Sequence, residues 1–169
     1  MTSGASPRRA YVSIGSNVER VRHVRIAADE LRAAFGSLTL SPVYESGAVG
    51  FEGRPFYNLA AAFETRLPPP DLVARLKAME SRHGRTPGCA RFADRTLDLD
   101  LLLLGDCVLE RPRLPREDIL RHAFVLRPLA DIAPDLPHPV LGRTIGELWA
   151  AFEPGGQWLR PVDFPWATA

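Results

Sequence analysis

Lysine is all but missing from this chain: Lys77 stands alone, and arginine carries the rest of the basic charge. That bias reads as genomic composition. The 21 basic residues are offset by 20 acidic ones, so no whole-molecule field draws the chain to nucleic acid or to an anionic membrane. Cysteine is scarce as well. Cys89 and Cys107 are too few for a disulfide framework and poorly placed for a metal site, which makes a reducing cytoplasm the default location. Apolar runs such as Leu101–Leu104 are far shorter than the ~20 residues that cross a bilayer. Met1 to Arg9 is polar and lacks the apolar stretch of a signal peptide. Repeats and low-complexity tracts are absent. What remains is a 169-residue globular chain, 46% apolar, long enough for one domain with one core.

The most informative stretch is Arg91-Phe92-Ala93-Asp94-Arg95-Thr96-Leu97-Asp98-Leu99-Asp100, which runs into Leu101–Leu104. Its second half reads as a β-strand, whose side chains alternate between faces. Leu97, Leu99, Leu101 and Leu103 then point one way, and Thr96, Asp98, Asp100 and Leu102 the other. Two carboxylates therefore stand ~6.6 Å apart along one strand face. Like charges beside an apolar run repel and resist desolvation, so the pair needs a reason. One reason is a surface salt-bridge cluster with nearby arginines. The other is a hard dication such as Mg²⁺, bridging carboxylates and substrate phosphates. Arg85, Arg91 and Arg95 lie just upstream and offer planar donors that suit phosphate oxygens. Carboxylates for a metal beside arginines for phosphates is the wiring of phosphoryl transfer.

The rest of the chain supplies a frame. Ala10–Ile14 reads as a strand ending at Gly15-Ser16-Asn17, with Asn17 placed to cap the next helix. Val21, Val24, Ala28, Leu31 and Phe35 then recur at helical spacing, and Gly36 is a stop. Leu38–Tyr44 reads as a second strand in which Pro42 marks an edge or a bulge. A glycine-rich loop, 46–55, leads to a third strand, Phe56–Arg66. Pro68-Pro69-Pro70-Asp71 opens a second helix ending near Gly84, with Leu72, Leu76, Met79 and Glu80 on one face. Strand, helix, two strands, helix, strand is the α+β, ferredoxin-like βαββαβ order, an antiparallel sheet with helices on its faces. Glu110–Arg121 reads as irregular. Phe124–Ile132 reads as helical despite Pro128, and Thr144 caps a short helix to Phe152, together a C-terminal helical extension. The expected organisation is a disordered tail over 1–9, a single domain over 10–153 and a C-terminal tail over 154–169.

Arg95-x-x-Asp98-Leu99-Asp100 before an apolar run, with Arg91-Phe92 upstream, resembles the signature of the 6-hydroxymethyl-7,8-dihydropterin pyrophosphokinases. The similarity extends over roughly residues 10–150 and takes in Gly15-Ser16-Asn17, the segment 44–50, Asn58, and Phe124-Val125-Leu126 with Pro128-Leu129. It implies transfer of pyrophosphate from ATP to a pterin alcohol in folate biosynthesis, with release of AMP. By matching position, Asp98 and Asp100 would hold two Mg²⁺ ions. Arg85 and Arg95 would act in catalysis, and Arg91 would join them on the phosphates. Lys77, Glu80, Arg111, Arg113, Arg116 and His122 complete the expected ATP contacts. Ser46, Gly47, Val49, Phe56, Asn58, Phe92 and Phe124 are the expected pterin contacts. Read on pattern alone, Phe56 and Phe124 are core, while Arg111, Arg113 and Arg116 are equally a solvated loop. Asn58 in a strand fits a core less well, since an unsatisfied buried amide costs ~1–3 kcal/mol.

The chain departs from the resembled pattern in several places. Phe92 replaces a usual Trp, Asp94 a usual Pro, Arg116-Glu117 a usual His-Pro, and Arg121-His122 a usual Glu-Arg. Ser46 and Ala48 replace Thr and Pro. One reading is that Arg116 and His122 have exchanged duties toward phosphate. The alternatives are a diverged paralogue acting on a related reduced pterin, or a non-catalytic pterin- or nucleotide-binding module. Partners are small molecules, with neither nucleic acid nor membrane, and a monomer is expected. An RNA-binding ferredoxin-like module would need aromatic strand motifs and a basic balance that this chain lacks.

Overall fold

Period-two patterning builds the sheet. In the computed structural model, which describes residues 6–48, 53–84 and 96–166, β1 (Arg8–Ser16) is buried between two antiparallel neighbours, β4 (Phe56–Thr65) and β5 (Asp98–Leu104). The chain enters β1 at Arg8, so the expected tail over 1–9 gives up its last two residues to the strand. The segment 38–44 forms two short strands, β2 (Thr39–Leu40) and β3 (Val43–Ser46), both paired to β4. The break falls at Ser41-Pro42, because proline has no N–H for a ladder. Sheet order is β5-β1-β4-β3-β8, with β2 also on β4. This is the ferredoxin-like order extended by one strand.

Helices α1 (Arg20–Phe35) and α2 (Pro69–Arg82) cover one face. Val24, Ala27, Leu31, Leu72, Leu76 and Met79 pack there on Ala10, Val12, Ile14, Leu59, Ala61, Phe63, Leu97, Leu99 and Leu101. Each Val, Leu, Ile, Phe or Met among them contributes ~1.5–3 kcal/mol by leaving water, and the alanines less. Gly36 ends α1 as expected, at φ 86° with its N–H on the Arg32 carbonyl. Asn17 does not cap this helix. Glu19 is the first flanking residue, and the Asn17 amide donates instead to the Arg54 carbonyl at 3.1 Å.

The opposite face is covered by α4 (Ala123–Ile132) with α3 (Asp118–Arg121) and α5 (Ile145–Ala150). Thr144 caps α5 in a reciprocal capping box with Glu147. Glu110–Arg121, read as irregular, holds a hairpin of β6 (Leu109–Glu110) and β7 (Arg113–Leu114) and then α3. The C-terminal stretch supplies a strand, β8 (Leu159–Val162), paired to β3.

Alternation along β5 fails at one point. Val12 pairs with Leu101 and Tyr11 with Leu103, leaving Leu102 as a bulge. Leu102 and Leu103 therefore both join the second core, and Leu104 returns to the first. The expected placing of Leu103 with Leu97, Leu99 and Leu101 is corrected accordingly.

Candidate active site

β5 is an edge strand, and an edge leaves alternate N–H and C=O groups without a ladder partner. Leu99 presents such a pair, and α2 satisfies both. Glu80 Oε2 accepts the Leu99 N–H at 2.6 Å, while Lys77 Nζ donates to the Leu99 carbonyl at 3.4 Å. Lys77 and Glu80 are one helical turn apart and meet at 3.2 Å. Glu80, only 1% exposed, is thus the inward-facing polar residue of α2.

Asp98 and Asp100 flank Leu99 on the other pleat and remain partly accessible. Carboxylate oxygens of Glu80, Asp98 and Asp100 all lie within 4.8 Å of one another. Asp100 Oδ1 receives Lys77 at 3.5 Å and Arg116 at 3.6 Å. The bulge explains how Arg116 gets there: the Leu102 carbonyl accepts the Arg116 N–H at 3.0 Å and fixes the backbone where the guanidinium reaches Asp100. Arg116 Nε also donates to Asp118 at 3.0 Å. Burial works against the guanidinium charge, but Asp100 and Asp118 outweigh it and hold Arg116 above its ordinary value.

The register sets a second group beside the first. Asp98, Gly15, Asn58 and Tyr44 lie in one row across β5, β1, β4 and β3. Two strand spacings separate Asp98 from Asn58, ~10 Å. Gly15 between them has no side chain, and a Cβ there would stand 3.2 Å from Asn58 Oδ1 and 3.7 Å from Phe56. Asn58 is buried, and its Nδ2 donates to Ser46 Oγ at 2.6 Å. At the β3 end of this row, Tyr44 donates to Asp131 and receives Arg127 at 3.1 Å, which fastens β3 to α4.

Phe124 sits in the first turn of α4, half-buried, with the His122 ring stacked on it at 4.8 Å and 17°. Burial lowers the His122 pKa, with Asp118 opposing and Arg121 and Arg116 adding to the fall. Burial thus favours the uncharged imidazole, stacked on Phe124. Arg113, on the exposed hairpin, pairs with Glu117 at 2.7 Å, and Arg111 lies exposed in the same hairpin's turn. Val49, Arg85, Arg91, Phe92, Asp94 and Arg95 lie outside the described residues.

The structure thus groups Lys77, Glu80, Asp98, Asp100 and Arg116 at one end of the row, and Ser46, Phe56 and Asn58 at the other. The sequence places Gly15 at the end of the first strand, with no site role of its own. Its signal was available, since a glycine inside a strand marks close approach of another group. Gln157 and Trp158, beside Gly47 and α4, carry no motif and were not found.

The family profile for 7,8-dihydro-6-hydroxymethylpterin-pyrophosphokinase (HPPK) matches residues 11–134. A Pseudomonas aeruginosa 2-amino-4-hydroxy-6-hydroxymethyldihydropteridine pyrophosphokinase is 43% identical over 150 residues, 85% of this chain and 91% of that protein. The folic acid synthesis protein fol1 of Schizosaccharomyces pombe is 33% identical over 144 residues, but the match spans only 20% of its length. Among solved structures, the Plasmodium falciparum HPPK-DHPS chain with pterin and p-hydroxybenzoate superposes with a TM-score of 0.70 at 15% identity, covering 88% of this chain and 43% of that one. Its likeness bears on the fold alone. The profile spans the strands that carry Gly15, Asn58, Asp98 and Asp100, and with the 43% identical relative it shows that this chain belongs to the 7,8-dihydro-6-hydroxymethylpterin-pyrophosphokinase family.

Proposed function

We propose that this protein transfers the terminal diphosphate of ATP to the hydroxymethyl oxygen of 6-hydroxymethyl-7,8-dihydropterin, releasing AMP, with the chemistry at Asp98 and Asp100. The observation that carries this is the row Asp98–Gly15–Asn58, which sets carboxylates and a buried amide on either side of an open strand position.

The donor set fits Mg²⁺. All three carboxylates offer hard oxygen, and the two aspartates are accessible enough to leave room for water and phosphate oxygens. Glu80 is committed to Leu99 and Lys77, so Asp98 and Asp100 would be the ligands, for two ions as the resemblance implies. Bound there, Mg²⁺ would neutralise charge on the phosphates and on the departing AMP. Lys77 and Arg116 hold Asp100 in place. Arg85, Arg91 and Arg95 are assigned to the phosphates, Arg85 and Arg95 stabilising charge as AMP leaves. Asn58 and Ser46 read the polar edge of the pterin, and Phe56 and Phe124 flank its ring. The hydroxymethyl oxygen attacks the β-phosphorus in line, and a loose transition state needs no strong base. No helix among the described residues is long and apolar enough to cross a membrane, and we place the enzyme in the cytoplasm as a monomer acting on small molecules.

Product analysis tests this reading. Incubation with ATP, Mg²⁺ and a panel of reduced pterins, followed by ³¹P NMR, should yield AMP and a pterin diphosphate in equal amounts. ADP or inorganic phosphate as the main product would rule it out.

Arg116 and His122 separate by pH. Arg116→Ala should weaken nucleotide binding roughly 10- to 100-fold at pH 8, the ~1.5–3 kcal/mol of a charge-assisted hydrogen bond. His122→Ala should leave nucleotide affinity at pH 8 unchanged and act on it only below pH 6.5. Folding favours the neutral imidazole, so the His122 contribution to stability is complete above the unfolded value near ~6.5. It is lost as pH falls toward the lower folded value. His122→Phe, which keeps a ring on Phe124, should lose less Tm than wild type between pH 7 and pH 5. Equal acid losses would remove His122 from this account.

A further inference from the structure

Gln157 and Trp158 lie beyond the stretch that matches the family profile, yet Trp158 lies against Gly47, which is assigned to the pterin, and Gln157 holds the residue before Phe124. Gln157 bridges to the start of α4. Its Oε1 accepts the Ala123 N–H at 2.8 Å, and its Nε2 donates to the Arg121 carbonyl at 3.0 Å. The Ala123 N–H is one of the four N–H groups that a helix start cannot satisfy internally, so Gln157 acts as its cap from another part of the chain. Phe124 is the next residue.

Trp158 reaches the other wall. Its indole lies so close to Gly47 that a Cβ at that position would stand 2.9 Å from Nε1. β8 continues the attachment: Ser46 pairs with Leu159, and Glu45 pairs with Arg160, whose guanidinium lies 5.7 Å over the Trp158 ring. Between these walls is a cavity of about 380 Å³ lined by Ser46, Gly47, Ala48, Phe124, Gln157 and Trp158. Trp158 is nonetheless 45% exposed, a costly place for a large ring that only packs.

We infer that Gln157 and Trp158 are positioning residues for the pterin: they set the spacing between the 46–48 segment and Phe124 from the C-terminal side. The inference rests on the assignment of that segment and Phe124 to the pterin. Fixing both walls before binding lowers the ordering cost that the ligand would otherwise meet. Asp98, Asp100, Lys77 and Arg116 belong to other elements, and His122, which adjoins α4, acts on the nucleotide only below pH 6.5, so at pH 8 the effect should fall on the pterin alone.

The test is equilibrium binding of 6-hydroxymethylpterin with Mg²⁺ and a non-hydrolysable ATP analogue, beside amide hydrogen exchange of the ligand-free protein. Trp158→Ala and Gln157→Ala should each raise the pterin Kd tenfold or more, leave the nucleotide Kd within twofold, and speed exchange at 46–48 and 123–126. Trp158→Phe should restore most of the affinity. Gly47→Ala should be damaging alone and milder in the Trp158→Ala background, where the clash is gone. A folded Trp158→Ala protein with wild-type pterin affinity would overturn the inference, as would parallel loss of pterin and nucleotide binding. If the wild type binds no pterin, the assigned substrate fails instead. Exchange needs no pterin, and unchanged exchange at both walls overturns the positioning claim by itself.

Discussion

Replacing Asp98 or Asp100 with alanine should lower turnover by about three orders of magnitude or more while the protein stays folded. The expected loss follows from the several kcal/mol that metal-assisted charge neutralisation contributes, at tenfold per ~1.36 kcal/mol. Both side chains sit on the partly accessible face of β5, so neither replacement opens a hole in the core. On charge repulsion alone, removing one carboxylate would stabilise the metal-free protein. For Asp100 the geometry argues otherwise. Lys77 and Arg116 already balance its charge, so Asp100→Ala should leave stability near wild type or slightly lower. Steady-state rates with saturating ATP and Mg²⁺, together with thermal melts, check both points. A rate within tenfold of wild type in either variant would remove that aspartate from the metal site.

Glu80→Ala should have the largest effect on stability, a loss of ~3 kcal/mol in denaturant unfolding. The substitution strips the Leu99 N–H of its acceptor and takes a counter-charge from Lys77 at a position with almost no access to water. Glu80→Gln keeps an acceptor for Leu99 and gives up only the charge, so it should lose less than half as much. Turnover should fall in Glu80→Ala, because Leu99 lies between the two aspartates and a freed edge no longer holds them still; Glu80→Gln, which keeps the acceptor, should stay closer to wild type. A Glu80→Ala protein within ~1 kcal/mol of wild type would show that the edge of β5 is held by something else.

The frame of the fold was legible because its signals are local. Helical spacing from Val21 to Phe35, the Gly36 stop and the proline-rich start of α2 each report on a few neighbouring residues. The Asp98–Asp100 pair was legible for the same reason, since two residues on a strand share a face. What escaped depends on partners distant in sequence. Glu80 was seen to face inward, but its bond to the Leu99 N–H depends on β5 being an edge, which is a property of the whole sheet. The Leu102 bulge is invisible in a run of four identical leucines, although its carbonyl is where the Arg116 backbone docks. β8 was missed because Leu159-Arg160-Pro161-Val162 has no alternation of its own and takes its register from Glu45. His122 was read as a conditional charge. Its stacking on Phe124 and its burial make it an aromatic neighbour first.

The central claim is that Asp98 and Asp100 hold the metal ions that carry the nucleotide. Mn²⁺ in place of Mg²⁺, titrated into the protein with a non-hydrolysable ATP analogue and followed by the EPR signal of free Mn²⁺, measures this directly. Wild-type protein should take up two ions per protein–nucleotide complex, and Asp98→Asn and Asp100→Asn should each lose at least one. Wild-type stoichiometry and affinity in both variants would contradict the account.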